Sequence, residues 1–341
     1  MLRSLVFFLL LGIPAGLFAQ QRVLHFTRTS GFDHNTRAVS FALFTSIATE
    51  IGISVVDDAT GDPFSDPGTL SAFDAIIFSN TSGNAILDAT QRANFEAWVA
   101  AGGKVLGLHA ASDTYRHSTA NGNNTGTWDF YPELIGASVQ EGPNHVTGTP
   151  EYALSHSGLH PSTTNLPDPW LKNEEYYYWE GGYYGPDNSA VLEVEETVGP
   201  NGLVNSYDAA RPMSWYRLLP YGGRMFYTAL GHAQSNYTSD ELFRTHIRDA
   251  ILWLLDGTVG LAAPAAQHAL RAYPNPASRT LTITTDHATN AMLQLIDATG
   301  RVVYSGRMVA PLHTVDISQL SNGSYLLRHG DTAHIRVCVL H

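Results

Sequence analysis

The sequence predicts an α/β domain, a parallel sheet with helices on both faces, followed by a small all-β sandwich. Three observations carry this. Short strands alternate with amphipathic helices across residues 22–256. Those strands are continuously apolar rather than alternating, the pattern of strands buried on both faces. Beyond residue 270 the helical period disappears, and short strands separated by turn residues take over.

The elements follow in order. Met1-Leu2-Arg3 precedes an apolar run over 5–13, broken by Pro14-Ala15-Gly16, with Ala19 before Gln20-Gln21. A basic start, a short apolar core and a small final residue predict a signal peptide over 1–19, cleaved after Ala19. The run is too short to span a bilayer, and no later stretch is long and apolar enough. Residues 22–27 (RVLHFT) read as a buried strand, followed by a turn through Ser30-Gly31-Phe32-Asp33-His34. Asn35 can cap a helix whose apolar positions Val39, Leu43, Ile47 and Ile51 recur every four residues. Residues 54–56 and 73–79 (FDAIIFS) are the next strands. Asp88 with Gln91 has the form of a capping box for a helix with Phe95, Trp98 and Val99 on its apolar face. Gly102-Gly103 ends that helix, and KVLGL (104–108) is another apolar strand.

The middle, about 137–222, is rich in Gly, Pro, Asn and Tyr and has no helical period. It reads as loops and short strands lying over the sheet, among them 176–179, 190–194 and 213–217. RMFYTAL (224–230) returns to a buried strand. Thr238 with Glu241 then predicts the cap of an amphipathic helix carrying Phe243, Ile247, Ala250, Ile251 and Leu254. Residues 257–270, rich in Ala, Gly and Pro, read as a linker. In the tail, 271–341, short strands are expected at 281–284, 292–296, 302–304 and 324–328, with turns at Ala298-Thr299-Gly300 and Ser321-Asn322-Gly323.

Length sets two domains as the expectation, since about 320 residues of mature chain exceed one ordinary core. The net charge of −12 argues against nonspecific binding to nucleic acid or an anionic membrane surface. The single cysteine, Cys338, excludes an internal disulfide and leaves the large domain without a thiol for chemistry.

The tail carries Tyr273-Pro274-Asn275-Pro276-Ala277-Ser278, then residues 295–303 (LIDATGRVV), Asp316-Ile317-Ser318-Gln319-Leu320 and Gly323-Ser324-Tyr325-Leu326-Leu327. In this order the motifs resemble the type A sorting domain of the type IX secretion system. Arg336 stands where that family usually has Lys. The resemblance implies passage through the periplasm, then handling by the type IX machinery, to a secreted or cell-surface destination. Such tails are commonly removed on delivery.

In the large domain three histidines sit at carboxyl ends of predicted strands. His34 follows the first, His109 directly follows 104–108, and His232 follows 224–230 through Gly231. In an open parallel sheet these ends share one edge, where ligands bind. Gly107-Leu108-His109-Ala110-Ala111 occupies a strand-to-turn position like a nucleophile elbow, but its tip is His rather than Ser or Cys. Glutaminase chemistry is therefore not expected.

Further blocks complete a pattern: Gly31-Phe32-Asp33-His34, residues 102–109, His160-Pro161, Asn173-Glu174-Glu175-Tyr176, Pro212-Met213-Ser214-Trp215 and Gly231-His232. Residues 22–256 thereby resemble the ThuA family, named for trehalose utilisation, which has a class I glutamine amidotransferase-like, flavodoxin-like fold. Asn173 departs from the family's usual Asp. The resemblance implies a link to sugar metabolism. Read from the residues, His109, Glu174, His232 and His34 are the catalytic candidates. Glu174 is a candidate general acid/base. His109 and His232 are either its acid/base partners or ligands of a divalent metal such as zinc, completed by Glu174 or His34. Tyr176 and Trp215 are candidate stacking residues for a sugar ring, or else pack a lid. Asp113 is a candidate to orient His109 or bind a hydroxyl. His117, His145 and His156 lie in loops and carry no assignment. The expected function is a secreted hydrolase or lyase acting on a sugar or a modified glycoside, including an oxidised one. The alternative is a non-catalytic carbohydrate-binding or scaffold protein on the same fold.

Overall fold

The computed structural model describes residues 20–120, 122, 126–256, 271–284, 291–297, 301–310, 312–329 and 333–341. The expected signal peptide (1–19) and linker (257–270) lie outside these residues. The chain forms two compact units, divided between Gly260 and Leu261.

The first unit runs β1 (Arg22–Phe26), α1 (Arg37–Ile51), β2 (Ser54–Asp58), α2 (Pro67–Leu70), β3 (Ala75–Ser79), α3 (Ala89–Ala100), β4 (Lys104–Leu108), α4 (Phe130–Ile135) and β5 (Ala137–Ser138). It continues with β6 (Glu151–His156), α5 (Pro161–Thr164), β7 (Trp170–Asn173), β8 (Tyr183–Tyr184), β9 (Ser189–Val194), β10 (Arg211–Leu218), β11 (Arg224–Thr228), α6 (Gln234–Thr238) and α7 (Glu241–Asp256). Nine strands form one sheet in the order β2-β1-β3-β4-β11-β10-β9-β6-β7. The first five of these run parallel, and their carboxyl ends finish level, with Phe26 beside Phe78, Ser79 beside Leu108, and Leu108 beside Thr228. Successive residues of these strands serve opposite layers. On β1, His25 meets Phe41 and Phe44 of α1. Its neighbour Phe26 packs on Phe64 and Phe78, and Phe78 on Phe95 of α3. That is why the strands carry no apolar alternation.

Some expectations shift. The middle stretch does not lie over the sheet. Its strands β6, β7, β9 and β10 extend the sheet itself, all antiparallel. Residues 176–179 form no strand and contribute only an isolated bridge between His145 and Tyr177. Asn35 does not cap α1. Its amide bonds the Asp33 side chain at 2.8 Å and its φ is +53°, so the helix begins one residue later, after Thr36. The Asp88–Gln91 capping box forms as expected. For α7 the cap is Asp240, whose Oδ1 accepts from Phe243 N at 2.9 Å, because Thr238 still belongs to α6.

The second unit holds β12 (Arg271–Tyr273), β13 (Thr280–Thr284), β14 (Ala291–Ile296), β15 (Val302–Met308), β16 (Leu312–Asp316), β17 (Gly323–His329) and β18 (Ala333–Val339). They form two antiparallel sheets, β12-β13-β16 and β15-β14-β17-β18. Leu281, Ile283, Leu293, Leu295, Leu327 and Val337 fill the core of the unit. Among the described residues no helix is long and apolar enough to cross a membrane.

Candidate functional site

The loops after the level strand ends are stitched together. Thr29 bridges Ser82, and Gly83 bridges Thr114. Gly83 has a φ of +83°, and a Cβ there would stand 2.5 Å from Gly31 N and 2.4 Å from Ser30 Oγ. Only glycine lets these two loops approach so closely. Asn80, also left-handed at +53°, donates to Thr36, Gly231 and Tyr237 and accepts from Ala110 N, tying four loops to one side chain.

His109 sits at the elbow with φ +43° and is fully buried. Its Nδ1 lies 2.7 Å from the carbonyl of Ala229, which can only accept, so Nδ1 carries the proton. Its Nε2 is the ring nitrogen left to offer a lone pair to a cation. Around that atom stand His34 Nε2 at 3.2 Å, His232 Nδ1 at 3.3 Å and Glu175 Oε2 at 3.3 Å, and His232 Nδ1 is also 3.3 Å from Glu175 Oε2. All four ligand-type atoms fall within 4.8 Å of one another. A tetrahedral zinc site with bonds of about 2.0–2.1 Å has ligand–ligand edges of roughly 3.3–3.4 Å. Three of the six edges here are 3.3 Å and a fourth is 3.2 Å, with the rest within 4.8 Å.

The cluster holds a neutral imidazole beside an ionised carboxylate. Burial first, then the neighbouring His109 and His232, lowers the His34 pKa to about 3, so His34 is neutral at ordinary pH. Burial works to raise the Glu175 pKa, but hydrogen bonds from His109 and His232 outweigh it and hold the group ionised. Its hydrogen bond and charge raise the His232 pKa against a smaller burial penalty. The donor set is three imidazoles and one carboxylate, a set that suits zinc and similar divalent ions. His34 Nδ1 is buried with no partner, while Nδ1 of His109 is anchored on a carbonyl as ligating histidines usually are.

The remaining expected residues stand as follows. His109, His34 and His232 come together. Glu174, one residue before Glu175, faces away from them. Its carboxylate accepts from the amides of Gly231 (2.8 Å), His232 (3.1 Å) and Glu175 (3.1 Å) and from Asn236 Nδ2 (2.7 Å), so it fixes the turn that carries His232. Tyr176 is fully buried, with its hydroxyl on Lys172 O. Trp215 is fully buried, stacked on Tyr227 and donating to Ile135 O. Neither ring is open to a sugar. Asp113 pairs with Arg116 at 2.7 Å, and burial raises its pKa despite that partner.

Sequence reasoning missed three residues. Glu175 is the carboxylate of the cluster. His145 touches its other oxygen, Nε2 to Oε1 at 3.3 Å, while Nδ1 donates to Val146 O. Tyr177 stacks on His109 with centroids 4.6 Å apart and places its hydroxyl 2.9 Å from Nε2. The sequence offered only the place of Glu175 in the block 173–176; the His145–Tyr177 pairing shows itself only in the fold. A Ser40–His25–Asp57 chain has triad-like contacts of 2.9 Å each. Ser40, on α1, and His25, on β1, are fully buried between helix and sheet, so no substrate can reach that hydroxyl.

The fold is similar to that of a ThuA-like protein from Bacteroides uniformis, with a TM-score of 0.53 and 18% identity, covering 70% of this chain and 94% of that one. It is similar also to a ThuA-like protein from Parabacteroides merdae, with a TM-score of 0.52 and 17% identity, covering 72% of this chain and 93% of that one. No curated protein matches the sequence. Residues 271–337 match the secretion system C-terminal sorting domain. That tail directs export by the type IX route through the periplasm to the cell surface or exterior. Residues 22–254, well over half of the chain, match ThuA, described as trehalose utilisation, and the chain belongs to that family.

Proposed function

We propose that the protein is a secreted, metal-assisted hydrolase or lyase acting on a sugar or a modified glycoside, including an oxidised one. The observation that carries this reading is the convergence of His34, His109, His232 and Glu175 at tetrahedral spacing on the carboxyl edge of the parallel strands. The family's description supplies the sugar. A divalent ion held there would polarise a substrate oxygen and lower the pKa of a water.

The chain's own residues have distinct tasks. Ala229 O and the Tyr177 ring fix the orientation of His109. Glu174 fixes the backbone of His232. His145 holds the second oxygen of Glu175 and so sets which oxygen faces the histidines. Glu175, ionised and largely buried, is the carboxylate that would complete the ligand set with the three histidines. Glu174 is not free to act as a base, since all four bonds to it come from N–H donors that hold the fold.

The test is turnover of native and oxidised disaccharides by purified mature protein, after chelation and after zinc is restored. The reading expects turnover that disappears with the chelator and returns with zinc. Zinc binding with no turnover of any sugar would make the protein a binding protein instead. Turnover indifferent to the chelator would remove the metal from the reaction.

A further inference from the structure

The aromatic residues expected to meet a sugar, Tyr176 and Trp215, are sealed in the core. One large aromatic side chain beside the cluster is open to solvent. Phe32 is 67% exposed, and its ring stands edge-on to the His34 imidazole, with centroids 4.8 Å apart and an interplanar angle of 80°. Single exposed apolar residues are ordinary on protein surfaces. Phe32 differs in two respects. It abuts a member of the ligand cluster, and its backbone is held in place. Its carbonyl accepts from Ser82 Oγ at 2.6 Å, and Gly31 N, one residue earlier, donates to Ser82 O. Two residues later the chain must deliver His34 to the cluster, so the same anchor positions both rings. The Gly31–Gly83 approach fixes the loop against the neighbouring strand end.

We infer that Phe32 is the stacking platform of the site, an aromatic face that receives the apolar C–H face of a sugar ring whose reacting carbon lies over His34, His109, His232 and Glu175. This rests on the proposed function for its location and adds the element that selects a ring-shaped, saccharide substrate. A pyranose presents a face of C–H groups to an aromatic ring while its hydroxyls stay free for polar partners. The Phe32 ring is held on one side by His34, and most of the rest of its surface is open to solvent. A platform of this kind binds ground state and transition state alike, and its loss shows in affinity rather than in the chemical step.

The experiment uses the full-length mature protein loaded with zinc, titrated calorimetrically with trehalose and with its mono-oxidised keto form. Turnover and zinc content are measured on the same samples. For Phe32→Ala the inference expects about tenfold weaker sugar binding and a similar rise in KM, with kcat within about twofold and zinc content unchanged. Phe32→Tyr and Phe32→Trp should bind like wild type. Equal affinity in wild type and Phe32→Ala, or loss of zinc together with affinity, would overturn the platform; the second result would make Phe32 a packing partner of His34. Failure of wild type to bind either sugar would overturn it as well. Sugar binding that depends on Phe32 without turnover would leave the platform standing and sink the enzymatic reading, so the two failures are distinct.

Discussion

Two adjacent glutamates should behave in opposite ways when each is replaced by its isosteric amide. In Glu174→Gln one carboxylate oxygen becomes an NH2 group. Each oxygen of Glu174 accepts two bonds, Oε2 from Gly231 N and Asn236 Nδ2, and Oε1 from His232 N and Glu175 N. Whichever way the amide turns, two buried N–H donors then face another donor. Each lost bond to a charged acceptor is worth about 1.5–3 kcal/mol, so the substitution should cost roughly 3–6 kcal/mol. At about 2–4 °C per kcal/mol for a domain of this size, the melting temperature should fall by roughly 6–24 °C. In Glu175→Gln the changed group contacts His109, His232 and His145 and anchors no backbone. Without metal its stability should stay within about 1 kcal/mol of wild type, as for substitutions that break no anchoring bond. Zinc at a hundred times its Kd should stabilise wild type by about 2.7 kcal/mol, and a hundredfold weaker site in Glu175→Gln would retain only about 0.4 kcal/mol of that. Thermal melts of the three proteins in chelator and in zinc read both quantities. A Glu175→Gln protein with the full zinc-dependent shift, or a Glu174→Gln protein that melts like wild type in chelator, would refute this division of labour.

Other predictions follow from buried groups. Burial, with a smaller contribution from His246, lowers the His160 pKa to about 3, and burial lowers that of His246 to about 4. Both stay neutral when folded while an unfolded histidine protonates near 6.5, so stability should be full above pH 6.5 and fall by about 2 kcal/mol per residue by pH 5; melting temperatures unchanged between pH 7 and 5 would contradict this. Trp215→Phe loses the bond to Ile135 O and part of a filled core, and should lower stability by about 1–3 kcal/mol with zinc content intact; loss of zinc without loss of stability would mean Trp215 belongs to the site. Gly83→Ala forces a non-glycine residue to φ +83° and a contact 2.5 Å from Gly31 N. The left-handed backbone alone costs about 1–2 kcal/mol, and displacement of the loop carrying His34 should weaken zinc binding, whereas unchanged zinc affinity would show that the loop does not position His34.

The parallel half of the sheet was legible because β1, β3, β4 and β11 are largely apolar runs, and β1, β3 and β11 each lead to an amphipathic helix; β2, ending in Asp57-Asp58, was legible only in part. In the antiparallel half, β9 and β10 were expected as strands at 190–194 and 213–217, but β6 and β7 were not, nor was their joining the sheet. Strands such as β7 (Trp170–Asn173) are four residues long and one-sided in burial, and they sit among Gly and Pro that read as loop. The three histidines were legible because strand ends share an edge by topology alone. Glu174 and Glu175 were not separable, since consecutive residues in extended chain point to opposite sides and the sequence does not state the phase. The pairing of residues 145 and 177 supplied that phase. Tyr176 and Trp215 read as stacking residues or lid aromatics because the sequence does not show that the strands around them join the main sheet and bury both rings. Phe32 was visible only as one letter of a motif until its exposure could be compared with theirs.

The central claim is a metal centre built by His34, His109, His232 and Glu175. Its most direct measurement is elemental analysis with zinc-edge absorption spectroscopy on mature wild-type protein and on His109→Ala. Wild-type protein should hold about one divalent ion per chain, with nitrogen and oxygen ligands near 2.0–2.1 Å, and His109→Ala none. Wild-type protein that takes up no stoichiometric divalent ion when zinc is supplied, or His109→Ala protein that keeps the same coordination, would contradict it.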